Sequence, residues 1–195
     1  AQNGAFPAAA ARVHPRFPKQ TLVPGARMPT REEVFELVRG AKHPGAKTVR
    51  FNIETKSVPA QPELSSTPER FAELVVKAIE ASGFSDRCNL QSFDHRTLIA
   101  ARKLNPKLPL AVLTSDNWVD FVAAAKAVDA QIVSPDKDWI TKDAVDQIHG
   151  AGLRVIPWTA NREPEWRRLL DLGVDGIITD DPAGLLAYLR GRGLR

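Results

Sequence analysis

A single unit, a short apolar stretch, a polar turn and then an amphipathic stretch, recurs along this chain and leaves few folds open to it. Strands are expected near 47–54, 88–93, 109–114, 130–134, 154–159 and 176–180. Helices are expected between and after them, near 67–82, 95–104, 117–128, 142–150, 162–172 and 183–191. End signals support these bounds: Thr67-Pro68 is a cap followed by proline, Asp94, Thr141 and Asn161 are good caps, and Gly83 and Gly173 stop helices. An earlier helix starts after Thr30, which with Glu33 forms a capping box, and ends near Gly40.

Strands separated by helices that return the chain pair in parallel with right-handed crossovers. An open doubly wound sheet that binds nucleotides carries a Gly-rich turn after its first strand, and no strand here is followed by one. The expected fold is therefore α/β, a (β/α)8 barrel. Closure takes eight units and typically about 250 residues, whereas this 195-residue chain offers six, so the barrel is expected to lack its first strands. Two segments are expected: a Pro-rich arm or part of an insertion over 1–28, and a partial barrel domain over 29–195. Residue 1 is Ala and the only methionine is Met28, which reads as part of a longer protein.

Composition removes several classes. No apolar run approaches the roughly 20 residues of a membrane span, so the chain is not expected to be transmembrane. The 27 Lys and Arg against 23 Asp and Glu are scattered, with a small cluster at Arg190, Arg192 and Arg195. They lack the aromatic interleaving of a nucleic-acid face. The single Cys88 opens an apolar strand and reads as a buried small hydrophobe.

In such a barrel the chemistry sits at the C-terminal ends of the strands. There the first strand delivers Glu54 and Lys56, with Asn52 on the same face by the two-residue period. A carboxylate beside an ammonium suits a divalent cation and an anionic substrate; the plainer reading is an ion pair closing a strand. Later strands deliver Gln91, Ser92 and Phe93, then Leu113 and Thr114, Ser134, Trp158 and Thr159, and Thr179 and Asp180. Trp139, in the polar loop from Asp136, stays open between ligand contact and packing, whereas Trp118 and Trp166 read as packing residues. Asp180 and Asp181 could form a second acidic cluster for metal, but Asp180 reads rather as the cap of the last helix across Pro182. His14 lies in the arm, His43 before a strand, His149 at a helix end and His95 at the start of a helix, so none is placed as a catalytic base.

Four runs taken together, Asn52-Ile53-Glu54-Thr55-Lys56, Gln91-Ser92-Phe93-Asp94, Pro157-Trp158-Thr159-Ala160-Asn161 and Gly173 to Pro182, resemble the later motifs of the glycerophosphodiester phosphodiesterases. Pro29-Thr30-Arg31-Glu32-Glu33-Val34 resembles the family's early helix. The resemblance, over about 29–189 in the family's order, implies a TIM barrel and metal-assisted hydrolysis of a small-molecule glycerophosphodiester to glycerol 3-phosphate and an alcohol. It implies Ca²⁺ or Mg²⁺ as cofactor and Glu54 as one metal ligand. Lys56, Ser92, Phe93, Trp139, Trp158 and Asp180 are then the substrate-binding residues, Lys56 holding a phosphate oxygen and the aromatics walling the carbons.

The family's early motifs, a His-Arg-Gly, a Glu-Asn pair, a Glu-x-Asp strand and a second histidine, match no positions here. The chain alone is accordingly expected to be inactive or nearly so. The partner expected to complete it is a missing N-terminal segment or, in a homodimer, a second copy; a non-catalytic phosphate-binding or interaction module whose open barrel edge is covered by a partner or a second copy is the alternative reading. Another phospholipase C-like lyase or sphingomyelinase on the same barrel is a third. Exported bacterial members carry an insertion resembling the segment His14 to Pro18, so a periplasmic or secreted location is expected, with the cytoplasm as the alternative.

Overall fold

The structure, a computed structural model, describes residue 21 and residues 23–194. Most of the arm expected over 1–28, His14 included, lies outside the described residues. The chain divides into two compact units, Ala1–Val49 and Arg50–Arg195.

In the first unit, helix α1 (Arg31–Gly40) starts on the expected capping box: the Glu33 N–H donates to Thr30 Oγ1 at 3.2 Å and the Thr30 N–H to Glu33 Oε2 at 2.7 Å. Arg27 grips the same Glu33 carboxylate. His43 lies ahead of the first strand, as expected, and caps a one-turn helix, Pro44–Lys47, its Nδ1 accepting the Gly45 N–H at 3.0 Å.

In the second unit, five strands, β1 (Phe51–Thr55), β2 (Cys88–Ser92), β3 (Leu110–Thr114), β4 (Ile132–Pro135) and β5 (Arg154–Val155), form one sheet in that order, each parallel to the next. A doubly wound sheet reverses its strand order at a switch point; this order never reverses. The sheet is wound in one direction, as in part of a (β/α)8 barrel.

Helices α2 (Pro68–Ser82), α3 (His95–Leu104), α4 (Phe121–Ala127), α5 (Lys142–Gly150), α6 (Glu163–Leu172) and α7 (Pro182–Gly191) complete the unit. Register places Leu90, Leu110, Val112, Val133 and Val155 on one face of the sheet, all without solvent exposure. With Val75, Ile79, Leu98, Val145, Ile148 and Leu169 of the helices, also wholly buried, they make the core. The opposite face carries Asn52, Glu54, Asn89 and Gln91 and is polar at the β1 and β2 end.

Three expectations are corrected. The strand expected over 154–159 is regular only at Arg154–Val155: Ile156 N and Trp158 N still donate to Val133 O and Pro135 O at 2.9 and 3.0 Å, but Pro157 has no N–H to offer the chain on its other edge. The stretch 176–180 is not a regular strand, although Asp175 N donates to Val155 O and Ile178 N to Pro157 O, each at 2.9 Å. Helix α4 begins at Phe121 rather than near 117, since the Asp120 carboxylate caps it by accepting the Ala123 N–H at 2.8 Å.

Candidate active site at the C-terminal ends of the strands

Glu54 stands near the end of β1 with its side chain 23% exposed, and Lys56, 76% exposed, donates to its Oε1 at 2.5 Å. The polar face below them is a row of amides. Asn52 Nδ2 donates to Gln91 Oε1 at 2.8 Å, and Asn89 Nδ2 donates to Asn52 Oδ1. Gln91 lies opposite Glu54 in the register. Such a row donates and accepts hydrogen bonds without adding charge, so Lys56 is the cation that neutralises Glu54. Asn89, which sequence reasoning passed over, was readable from Gln91 by the two-residue period.

The remaining candidates separate into exposed and buried. Ser92 does not reach the polar face: it is wholly buried on the face that register assigns to the core, its Oγ donating to Thr55 O at 3.1 Å and accepting the Asp94 N–H at 3.0 Å. It joins two strand ends rather than presenting a hydroxyl to a ligand. Phe93, 46% exposed, meets Trp158 edge to face with ring centroids 5.4 Å apart. Phe93 follows β2 and Trp158 follows β5, about 14 Å apart across a flat sheet, so the contact reports a sheet curled about its polar face. Trp158 Nε1 is anchored to Ser134 O at 2.9 Å and Trp139 Nε1 to Ser115 O at 2.9 Å, which fixes both rings.

Asp180 does not cap the last helix. Asp181 does, accepting the Gly184 N–H at 3.0 Å, and a Cβ on Gly184 would lie 2.5 Å from the Asp181 carboxylate. Asp180 is left to accept from Asn161 Nδ2 at 2.8 Å, while its own N–H donates to Asn161 Oδ1 at 2.8 Å. Asn161, expected as a helix cap, is thus a latch between the loop after β5 and the loop at 179–181. The α6 cap position belongs to Arg162.

The loops after β1 and β2 are tied in the same way. Ser57 Oγ donates to Asp94 Oδ2 at 2.7 Å, and Arg96 grips Asp94 with two bonds of 2.8 Å. His95, at the start of α3, donates from Nε2 to Leu113 O at 3.1 Å, a carbonyl that can only accept, and its ring stands edge-on to Trp118. It fastens α3 to the end of β3. His149 is bound to Asp175 at 2.9 Å, and Trp166 is 6% exposed with its indole N–H on Ala160 O, in keeping with packing.

The Arg96 guanidinium holds the Asp94 carboxyl at about 2, below the usual range, against the opposing effect of burial and with help from Ser57. A depressed carboxylate pKa contributes stability that is whole above the unfolded value near 3.9 and disappears as pH falls toward the folded one. Because Arg96 is exposed, about 1 kcal/mol is expected rather than the full shift. Urea midpoints measured from pH 5 to pH 2 should fall less steeply for Asp94→Asn than for the parent between about pH 4 and pH 2. Equal slopes would exclude the role.

Among the described residues no group of three or more His, Cys, Asp or Glu side chains gathers in a way that could hold a metal ion. Glu54, already paired to Lys56, is one carboxylate, while hard divalent cations take six or more oxygen ligands. The described residues do not by themselves fit a divalent cation. Nor, among them, is any helix long and apolar enough to cross a membrane.

The family model of the glycerophosphoryl diester phosphodiesterase family matches residues 6–184. A glycerophosphodiester phosphodiesterase of Caldanaerobacter subterraneus subsp. tengcongensis is 33% identical over 167 residues, 85% of this chain and 63% of that protein. One of Bacillus altitudinis is 34% identical over 158 residues, 80% of this chain and 60% of that protein. The chain thus spans somewhat under two thirds of the length of these relatives. A solved structure from Silicibacter pomeroyi DSS-3, assigned to the glycerophosphoryl diester phosphodiesterases, superposes with a TM-score of 0.82 at 27% identity, covering 92% of this chain and 62% of that one. At 19% identity, an Oleispira antarctica phosphodiesterase solved with the product sn-glycerol-3-phosphate shares the fold, with a TM-score of 0.72 over 84% of this chain and 62% of its own. With Glu54 and Lys56 at the head of an unreversed parallel sheet and a family match over most of its length, the chain belongs to the glycerophosphoryl diester phosphodiesterase family.

Proposed function

We propose that this chain carries the later strands of a phosphodiesterase that hydrolyses glycerophosphodiesters to glycerol 3-phosphate and an alcohol with the help of a divalent cation, Ca²⁺ or Mg²⁺. The observation that carries the reading is the Glu54–Lys56 pair, held at the end of β1 beside a neutral amide row. In this reading Glu54 is one oxygen ligand of the cation, and the other ligands come from outside the described residues. Lys56, largely free in solvent apart from Glu54, turns its ammonium to a non-bridging phosphate oxygen. Phe93 and Trp158 form an apolar wall for the carbons beside the phosphate, and the Asn161–Asp180 latch holds the loop beyond them.

The test is hydrolysis of glycerophosphocholine with Ca²⁺, with Mg²⁺ and with a chelator, by this chain and by a form extended upstream to the full length of its relatives. The extended form is expected to turn over and to lose activity on chelation; the chain alone is expected to be inactive or nearly so. Turnover by the chain alone that Glu54→Gln abolishes would overturn the reading that ligands are supplied from elsewhere. An extended form that binds phosphate but never turns over would favour a non-catalytic module.

A further inference from the structure

Asn52 and Glu54 on β1 stand opposite Asn89 and Gln91 on β2, so four polar side chains make a square on one face of the sheet. The hydrogen bonds within it run one way. Asn89 Nδ2 donates to Asn52 Oδ1, and Asn52 Nδ2 donates to Gln91 Oε1 at 2.8 Å. The chain of amides therefore ends on Gln91, whose carbonyl oxygen is taken and whose Nε2 has no acceptor among the described residues.

Gln91 is only 7% exposed, and a donor left idle in so buried a side chain is costly unless something comes to accept from it. The oxygen and nitrogen of a planar amide point apart, so with Oε1 turned to Asn52 the amide NH2 is turned away from it. In the register Gln91 is flanked by Glu54 on β1 and Ala111 on β3, and a methyl group offers no acceptor. A carboxylate at this end of the chain favours a donor there over a carbonyl, which sets the direction of all the amides behind it. Glu54 Oε1 is already engaged by Lys56. Lys56, two residues on along the chain, and Gln91, across from Glu54, thus place a charged and a neutral donor next to one carboxylate.

We propose that Gln91 is a further substrate-binding residue, its Nε2 donating to a phosphate oxygen next to Lys56, and that Asn52 is the positioning residue that turns the amide for it. The inference rests on the proposed phosphodiesterase reading for the identity of the guest, and on the amide chain alone for the donor. A neutral donor grips an anionic oxygen without cancelling the charge of Glu54.

The test reads binding without turnover. Side-chain amide resonances of Gln91, identified by their loss in Gln91→Met, are followed in this chain and in the form extended upstream during titration with sn-glycerol 3-phosphate, inorganic phosphate and glycerol. Saturable shifts are expected with both phosphates and none with glycerol. Gln91→Met keeps the length of the side chain and removes the donor, and should weaken glycerol 3-phosphate about tenfold. Asn52 is exposed, so Asn52→Asp should be tolerated; its carboxylate cannot donate to Gln91 Oε1 and accepts from Nε2 instead, which turns the amide over. A loss of about tenfold is expected there too. In the Gln91→Met background Asn52→Asp should add less than about twofold, whereas a plain effect of its charge would persist. No saturable shift in either form, equal shifts with glycerol, or undiminished binding by Gln91→Met would overturn the assignment of Gln91. A loss from Asn52→Asp that persists without Gln91 would overturn the positioning role. Binding that meets these expectations in a protein that never hydrolyses glycerophosphocholine would refute the proposed hydrolysis and leave Gln91 standing; hydrolysis with Gln91→Met binding unchanged would do the reverse.

Discussion

Leu98→Ala is expected to lower the free energy of unfolding by about 3 kcal/mol, the middle of the range for emptying a fully buried leucine site. Leu98 is wholly buried in α3, a helix that packs on α2, β2 and β3 at once, so its side chain fills the layer between two helices and the sheet. Rigid walls on several sides leave little room for collapse, and the penalty then includes the cavity as well as the lost transfer energy. Against a typical total of about 5–15 kcal/mol the loss is large. Urea unfolding should show a lower midpoint with an unchanged slope. Leu104→Ala, in the same helix but at a half-exposed position, should shift stability by about 0.5 kcal/mol or less. Similar losses at both positions would mean that the layer is not packed as described.

That contrast also shows what could be read without coordinates. Helices α2, α3, α5, α6 and α7 start and stop within a residue of where capping and periodicity put them, because Thr67, Asp94, Thr141, Gly83 and Gly173 act through bonds two or three residues long. Local chemistry decides such ends, so local sequence displays them. The last strands were misjudged for the opposite reason: whether 176–180 counts as a strand depends on a neighbour broken by Pro157, some twenty residues earlier.

The site divides along the same line. The pairing of Glu54 with Lys56 and the shared face of Asn52 follow from the two-residue period. Ser92 could be counted at the right strand end, but only register shows that it faces the core. The Asn161–Asp180 latch and the approach of Phe93 to Trp158 join segments 19 or more residues apart, and no local pattern announces them.

Glu54→Gln, made in a form of the protein that turns over glycerophosphocholine, is expected to lower kcat/KM at least about 100-fold. Residues that merely orient metal ligands cost about 10- to 100-fold when lost, so a direct carboxylate donor sets that range as its floor. The substitution keeps size and hydrogen-bonding capacity and removes charge alone. Its side chain is 23% exposed and its bond to Lys56 lies at the surface, so stability should change little. Half-saturating concentrations of Ca²⁺ or Mg²⁺ should rise in the same variant. Lys56→Met separates the two partners: an ammonium that holds a phosphate oxygen in ground and transition states alike contributes mainly to KM. If instead the two residues only close a strand as an ion pair, each substitution would change activity less than about threefold and leave the cation dependence where it was. The two outcomes differ by more than an order of magnitude, and the size of the Glu54→Gln effect decides whether the first carboxylate of this sheet binds a metal or balances a lysine.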